Sequence, residues 1–130
     1  MFMKILGFFL CLFCFIYSVN GQVKSISPDE AMALLKNKRI VFLDVRTKSE
    51  VMEGRIPKSI HIDYLSEALF LKKIKKRNEA KTYIIYCRTG KRSMAAAEIM
   101  NQEGFVNVWN LSGGIIEWKG PISSRKRKKK

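Results

Sequence analysis

Thr82-Tyr83-Ile84-Ile85-Tyr86 runs without a break into Cys87-Arg88-Thr89-Gly90-Lys91-Arg92-Ser93. The opening residues are β-branched or aromatic, and a short continuous apolar run of this kind reads as a strand buried on both faces. The polar and basic residues after it read as a loop. An alanine-rich stretch over residues 94–103 then predicts a helix, which Gly104 stops. A strand feeding a helix in this way is the unit of a parallel sheet. Sites in such sheets collect at the carboxyl ends of the strands, and Cys87 lies at one of these ends.

The flanking sequence repeats this grammar. Ile40-Val41-Phe42-Leu43 is a second buried strand, and it ends in Asp44-Val45-Arg46. Ser27 and Glu30, with Pro28 between them, form a capping-box signature ahead of the apolar stripe Ala31, Leu34 and Leu35. Thr47 and Glu50 form another, opening a short helix that Gly54 would end. Residues 60–62 predict a short strand, residues 65–77 a lysine-rich helix or loop, and residues 106–109 a further strand. There is no internal repeat. The pattern predicts one α/β domain over residues 22–120, a parallel β-sheet with helices on both faces.

The two ends of the 130-residue chain differ from this domain. Residues 5–19 are an uncharged apolar run of 15 preceded by Lys4 and followed by small or polar residues. That is shorter than the ~18–20 residues of a membrane span and predicts a secretory signal over residues 1–21, cleaved after Gly21. The alternative is an uncleaved membrane anchor. Leu10 and Phe13 ahead of Cys11 and Cys14 argue against a lipoprotein signal. Export would be to the periplasm if the host is a Gram-negative bacterium. Cleavage would leave Cys87 as the only mature cysteine, without a disulfide partner.

The net charge of +14 divides unevenly: six units fall in the wholly basic run Arg125-Lys126-Arg127-Lys128-Lys129-Lys130, and the folded part stays basic. A self-repelling block like this predicts a disordered basic tail over residues 121–130. It can touch an anionic surface by charge alone, or stay solvated without a dedicated partner. No aromatics interleave with it, so no specific nucleic-acid partner is expected. One histidine and one mature cysteine are too few for a metal site, and no cofactor is expected.

A thiol at the start of a helix gains from convergent backbone N–H groups and from the helix dipole. Gly90 lets the loop curl, and Arg88, Lys91 and Arg92 add full positive charges. These features favour the thiolate, the nucleophilic form, and would hold an anion against it. An ionised sulfur that substrate can reach is the premise of this reading.

Four stretches resemble the rhodanese domain: Leu43-Asp44-Val45-Arg46, Gly54-Arg55-Ile56-Pro57, the loop from Tyr86 to Ser93, and Gly104-Phe105 through Leu111-Ser112-Gly113-Gly114 to Trp118. The single-domain exported rhodaneses are the most similar subgroup. The resemblance implies a rhodanese fold and a sulfurtransferase. Cys87 would take the sulfane sulfur of thiosulfate, release sulfite, and pass the sulfur from a persulfide to cyanide or a small thiol. It implies that backbone N–H groups of Arg88, Thr89, Gly90, Lys91, Arg92 and Ser93 stabilise the persulfide. Arg88, Lys91 and Arg92 would position the anion, and Asp44 and Arg46 would be structural support. Where the family often has Gly-His-Ile-Pro-Gly-Ala, this chain has Gly54-Arg55-Ile56-Pro57-Lys58-Ser59. His61 is expected to be structural and not a base for Cys87.

Two other readings compete. A cysteine phosphatase or arsenate reductase also uses a thiolate in an anion loop, but places its arginine six positions after the cysteine. Here Arg92 lies five positions after Cys87. A persulfide carrier for a protein partner would use the same cysteine without rapid turnover.

Overall fold

The computed structural model describes residues 22–124. The expected signal over 1–21, with Cys11 and Cys14, and the basic run 125–130 lie outside the described residues. In chain order the elements are β1 (Lys24–Ile26), α1 (Pro28–Ala33), β2 (Ile40–Asp44), α2 (Lys48–Glu53), β3 (Ile60–His61), α3 (Glu67–Ile74), β4 (Thr82–Tyr86), α4 (Lys91–Gln102), β5 (Val108–Leu111) and a 3-10 turn, Ile115–Glu117. The strands form one sheet in the order β1-β5-β4-β2-β3, and every neighbouring pair is parallel. Among the described residues, no helix is long and apolar enough to cross a membrane.

Alternation along β4 divides the core into two layers. Tyr83, Ile85 and Cys87 pack with Phe70 and Ile74 of α3 and Ala96, Ala97 and Met100 of α4. Ile84 and Tyr86 point the other way, into a layer with Ala31 of α1, Ile56 and Trp118. The expected strand over 82–86 and the two-sided helical cover are both present.

Both expected capping boxes are formed. The hydroxyls of Ser27 and Thr47 accept from the N–H groups of Glu30 and Glu50, whose carboxylates return the bond to the cap N–H. Other boundaries move. Helix α4 starts at Lys91 and not at residue 94, because Gly90 turns the backbone with φ +99° and makes the cap itself. Lys91, Arg92 and Ser93 therefore form its first turn. The last strand is Val108–Leu111 and not 106–109, with Val106 76% exposed. Strand β1 was not anticipated. The domain edge also moves beyond residue 120. Ser123 exchanges backbone hydrogen bonds with Arg55 at 2.9 and 3.0 Å, and the Pro121 carbonyl accepts from Trp118 Nε1 at 3.0 Å. Residues 121–124 thus pack on the domain instead of starting a disordered tail.

Lys58 is the one non-glycine residue with positive φ among the described residues, at +61°. It follows Pro57 in a turn closed by Ser59 N–H donating to the Ile56 carbonyl at 3.2 Å. Proline followed by a left-handed residue is the type II pattern, which favours glycine in the second place. A Cβ there costs about 1 kcal/mol.

Candidate active site

Strand β4 ends at Tyr86, and the chain turns at Cys87 so that its sulfur faces the amino end of α4. Gly90 N–H donates to Cys87 Sγ at 3.1 Å, and Ser93 Oγ lies 3.4 Å from the same sulfur. Burial pushes the thiol pKa up, but the Ser93 hydroxyl and the backbone N–H groups of Ser93, Gly90 and Thr89 outweigh it. The net result holds the thiol below its ordinary range. Of the amides expected at Arg88 to Ser93, Gly90 N–H bonds the sulfur directly, and those of Thr89 and Ser93 favour the thiolate electrostatically.

A second set of contacts fixes the ring. Ser93 Oγ donates to Asn110 Oδ1 at 2.6 Å, and Asn110 Nδ2 donates to the Gly90 carbonyl at 3.1 Å. The Ser93 hydroxyl has one proton, so it serves either Asn110 or the sulfur. Behind the loop, Ile115 N–H donates to the Cys87 carbonyl at 2.9 Å and Ile116 N–H to that of Arg88 at 3.2 Å. Gly114 lies so close that any Cβ would collide with the Arg88 carbonyl. Asn110 was not singled out from sequence. A lone buried polar residue in an apolar strand was the available signal.

The three expected loop cations separate. Arg88 and Lys91 are exposed, and among the described residues neither has an ion-pair partner. Arg92 is instead committed to Glu50 through Nη1–Oε2 at 2.8 Å and Nη2–Oε1 at 2.7 Å. Glu50 was read only as a capping residue, and it performs both tasks. Its carboxylate accepts from Thr47 N–H at 2.9 Å on the oxygen that also takes Arg92 Nη1. Hydrogen bonding to Arg92, opposed by burial and helped by Thr47, lowers its pKa from the ordinary 4.5 to about 2.

A depressed carboxylate stabilises the fold above its unfolded pKa and loses that contribution as pH falls through the folded value. Wild type should therefore exceed Glu50→Gln in stability by roughly 1–3 kcal/mol at pH 7. Urea melts should show this gap closing between pH 4.5 and pH 2. A gap unchanged with pH would contradict the pairing.

Asp44 and Arg46 form a buried, two-pronged pair: Nη2–Oδ2 at 2.7 Å and Nε–Oδ1 at 3.0 Å. Arg46 Nη2 also donates to the Gly54 carbonyl at 2.7 Å, tying the end of α2 to β2. His61 Nε2 donates to the Arg46 carbonyl at 2.6 Å, so the ring serves the backbone and not Cys87. Nothing in this group bonds to the sulfur. It holds α2, which presents Glu50 to Arg92.

Access differs from the premise drawn from sequence. Cys87 is 1% exposed, so the sulfur is enclosed by the protein and not open to solvent. Among the described residues, no group of three His, Cys, Asp or Glu side chains could hold a metal ion.

Residues 27–121 match the family model described as Rhodanese-like domain. The chain is 33% identical over 92 residues to a sulfurtransferase of Allochromatium vinosum, covering 71% of this chain and 83% of that protein. It is 34% identical over 96 residues to thiosulfate sulfurtransferase GlpE of Coxiella burnetii, covering 74% and 87%. Among solved structures, a rhodanese-related protein from Thermoplasma volcanium is similar at TM-score 0.70 and 30% identity, covering 78% of this chain and 99% of that one. A rhodanese-like domain protein from Staphylococcus aureus is similar at TM-score 0.70 and 28% identity, covering 80% and 100%.

Proposed function

Because the chain belongs to the rhodanese-like domain family, we propose that it is a sulfurtransferase that moves sulfane sulfur from thiosulfate, or from a persulfide, through Cys87. The Cys87 thiolate attacks the outer sulfur of thiosulfate. A sulfur–sulfur bond forms to Cys87, the one within thiosulfate breaks, and its electron pair leaves with sulfite. A thiolate or cyanide then attacks the outer sulfur of the persulfide and departs carrying it, which regenerates the Cys87 thiolate. No net oxidation occurs.

The observation that carries this reading is the sulfur seated under Gly90 N–H and Ser93 Oγ at the start of α4. The same donors can follow the negative charge outward when it moves to the second sulfur, as an oxyanion hole follows a developing charge. Exposed Arg88 and Lys91 supply attraction for a dianion. Export through the apolar run at residues 5–19 is part of the proposal, and the basic run 125–130 would be a solvated tail able to touch an anionic surface weakly by charge alone. Intact mass spectrometry after incubation with thiosulfate tests the scheme. It should show one added sulfur atom, removed again by cyanide. No adduct and no sulfite release would end the proposal.

Ser93→Ala removes a donor to the sulfur but leaves the backbone ring. Its thiol should titrate higher, so the acidic limb of the kcat/KM profile moves to higher pH. Activity below that limb should fall roughly 10-fold while the high-pH plateau changes little. An unmoved limb would show that Ser93 serves only Asn110.

A further inference from the structure

On the side of α2 away from the Glu50–Arg92 pair, a cavity of about 500 Å³ is lined by Lys48, Arg55, Lys58, His61, Ser123 and Ser124. Val51 and Met52 complete the wall, and no carboxylate contributes to it. Among the described residues, none of Lys48, Arg55 and Lys58 has an ion-pair partner. Like charges gathered without counter-charges repel one another, so the fold holds them together against electrostatics.

The backbone fixes two of the three. Arg55 is paired with Ser123 through two reciprocal backbone hydrogen bonds, and its Nη2 donates to the Ser59 carbonyl at 2.5 Å. Lys58 occupies the left-handed turn position that favours glycine, at φ +61°. A strained residue held at a site by its surroundings is a pointer to function.

We propose that this cavity is a second anion-binding site, separate from the Cys87 loop, for a small molecule bearing clustered anionic oxygens, either phosphate groups or several carboxylates. Its volume falls within the range of small-molecule sites, about 300–1,000 Å³. Val51 and Met52 offer a carbon skeleton an apolar wall beside the cations. Helix α2 is the divider, about 10 Å across with its side chains. Charge and geometry around α2 define this site independently of the sulfur-transfer reading.

The test is calorimetric titration of the full-length chain carrying Cys87→Ser, which prevents reaction at the loop, with inorganic pyrophosphate and separately with citrate in near-physiological salt. Saturable one-site binding of at least one probe is expected, and the tighter one separates a phosphate ligand from a polycarboxylate. The pair Lys48→Ala and Lys58→Gly should weaken it roughly 10-fold or more. Lys72→Ala with Lys73→Ala removes equal charge from α3 and should change it less than about twofold. Lys58→Gly relieves the strained turn, so its melting temperature reports that loss of binding is not loss of fold. Equal weakening by both pairs, or no saturable binding at roughly 10 mM probe, overturns the proposal.

Discussion

Cys87→Ser is expected to leave a folded chain that releases no sulfite from thiosulfate above background. The side chain is enclosed, 1% exposed, with Gly90 N–H and Ser93 Oγ against its sulfur. Serine is nearly the same shape and can accept the Gly90 N–H in place of sulfur, so the fold should survive. The chemistry should not. A hydroxyl stays protonated near neutral pH and is a poor nucleophile toward divalent sulfur, so the first displacement has no route. Loss of a covalent nucleophile removes the whole step, and the drop in kcat/KM should be roughly 1,000-fold or more. Sulfite release, measured beside far-UV circular dichroism on the same preparation, checks both halves. Retention of more than about a tenth of wild-type turnover by a folded variant would move the reaction away from Cys87.

Asp44→Ala should instead act on the fold. Asp44 is 0% exposed, and three of its contacts run to the Arg46 guanidinium. Deleting the carboxylate leaves a buried guanidinium with only the carbonyls of Gly54 and Glu50 to receive it. Breaking a buried pair from one side typically costs about 3–5 kcal/mol, a large share of the ~5–15 kcal/mol that holds a domain together. Replacing both members by apolar residues of similar volume, Asp44→Leu with Arg46→Met, should cost less than the single change. Urea denaturation of the three chains decides it. A double variant less stable than Asp44→Ala would mean that the pair is worth more than its desolvation. The loss should also reach the loop, because α2 is tied through Arg46 and carries Glu50 to Arg92.

The features legible in the sequence were those written in near neighbours. Each capping box needs two residues three apart, and both formed. The strand over 82–86 is continuous and central, so no partner had to be guessed. The features that escaped depend on distant segments. Strand β1 has one buried residue in three and exists because it pairs with β5. Asn110 acts on Ser93 and Gly90, seventeen and twenty positions earlier. Arg92 stands among cations in the sequence, and nothing local says that Glu50, forty-two positions away, takes it. Charge near a thiol was readable, but which charges stay free was not.

Strand β4 lies third of five in the sheet, flanked by β5 and β2, and Tyr83 to Tyr86 are at most 1% exposed. The backbone amides of this strand should exchange with deuterium only when the entire domain opens, while those near Val106 exchange through small local openings. Cys87 sits one residue beyond the segment expected to exchange most slowly. Protection there becomes a direct readout of global stability, taken next to the proposed nucleophile.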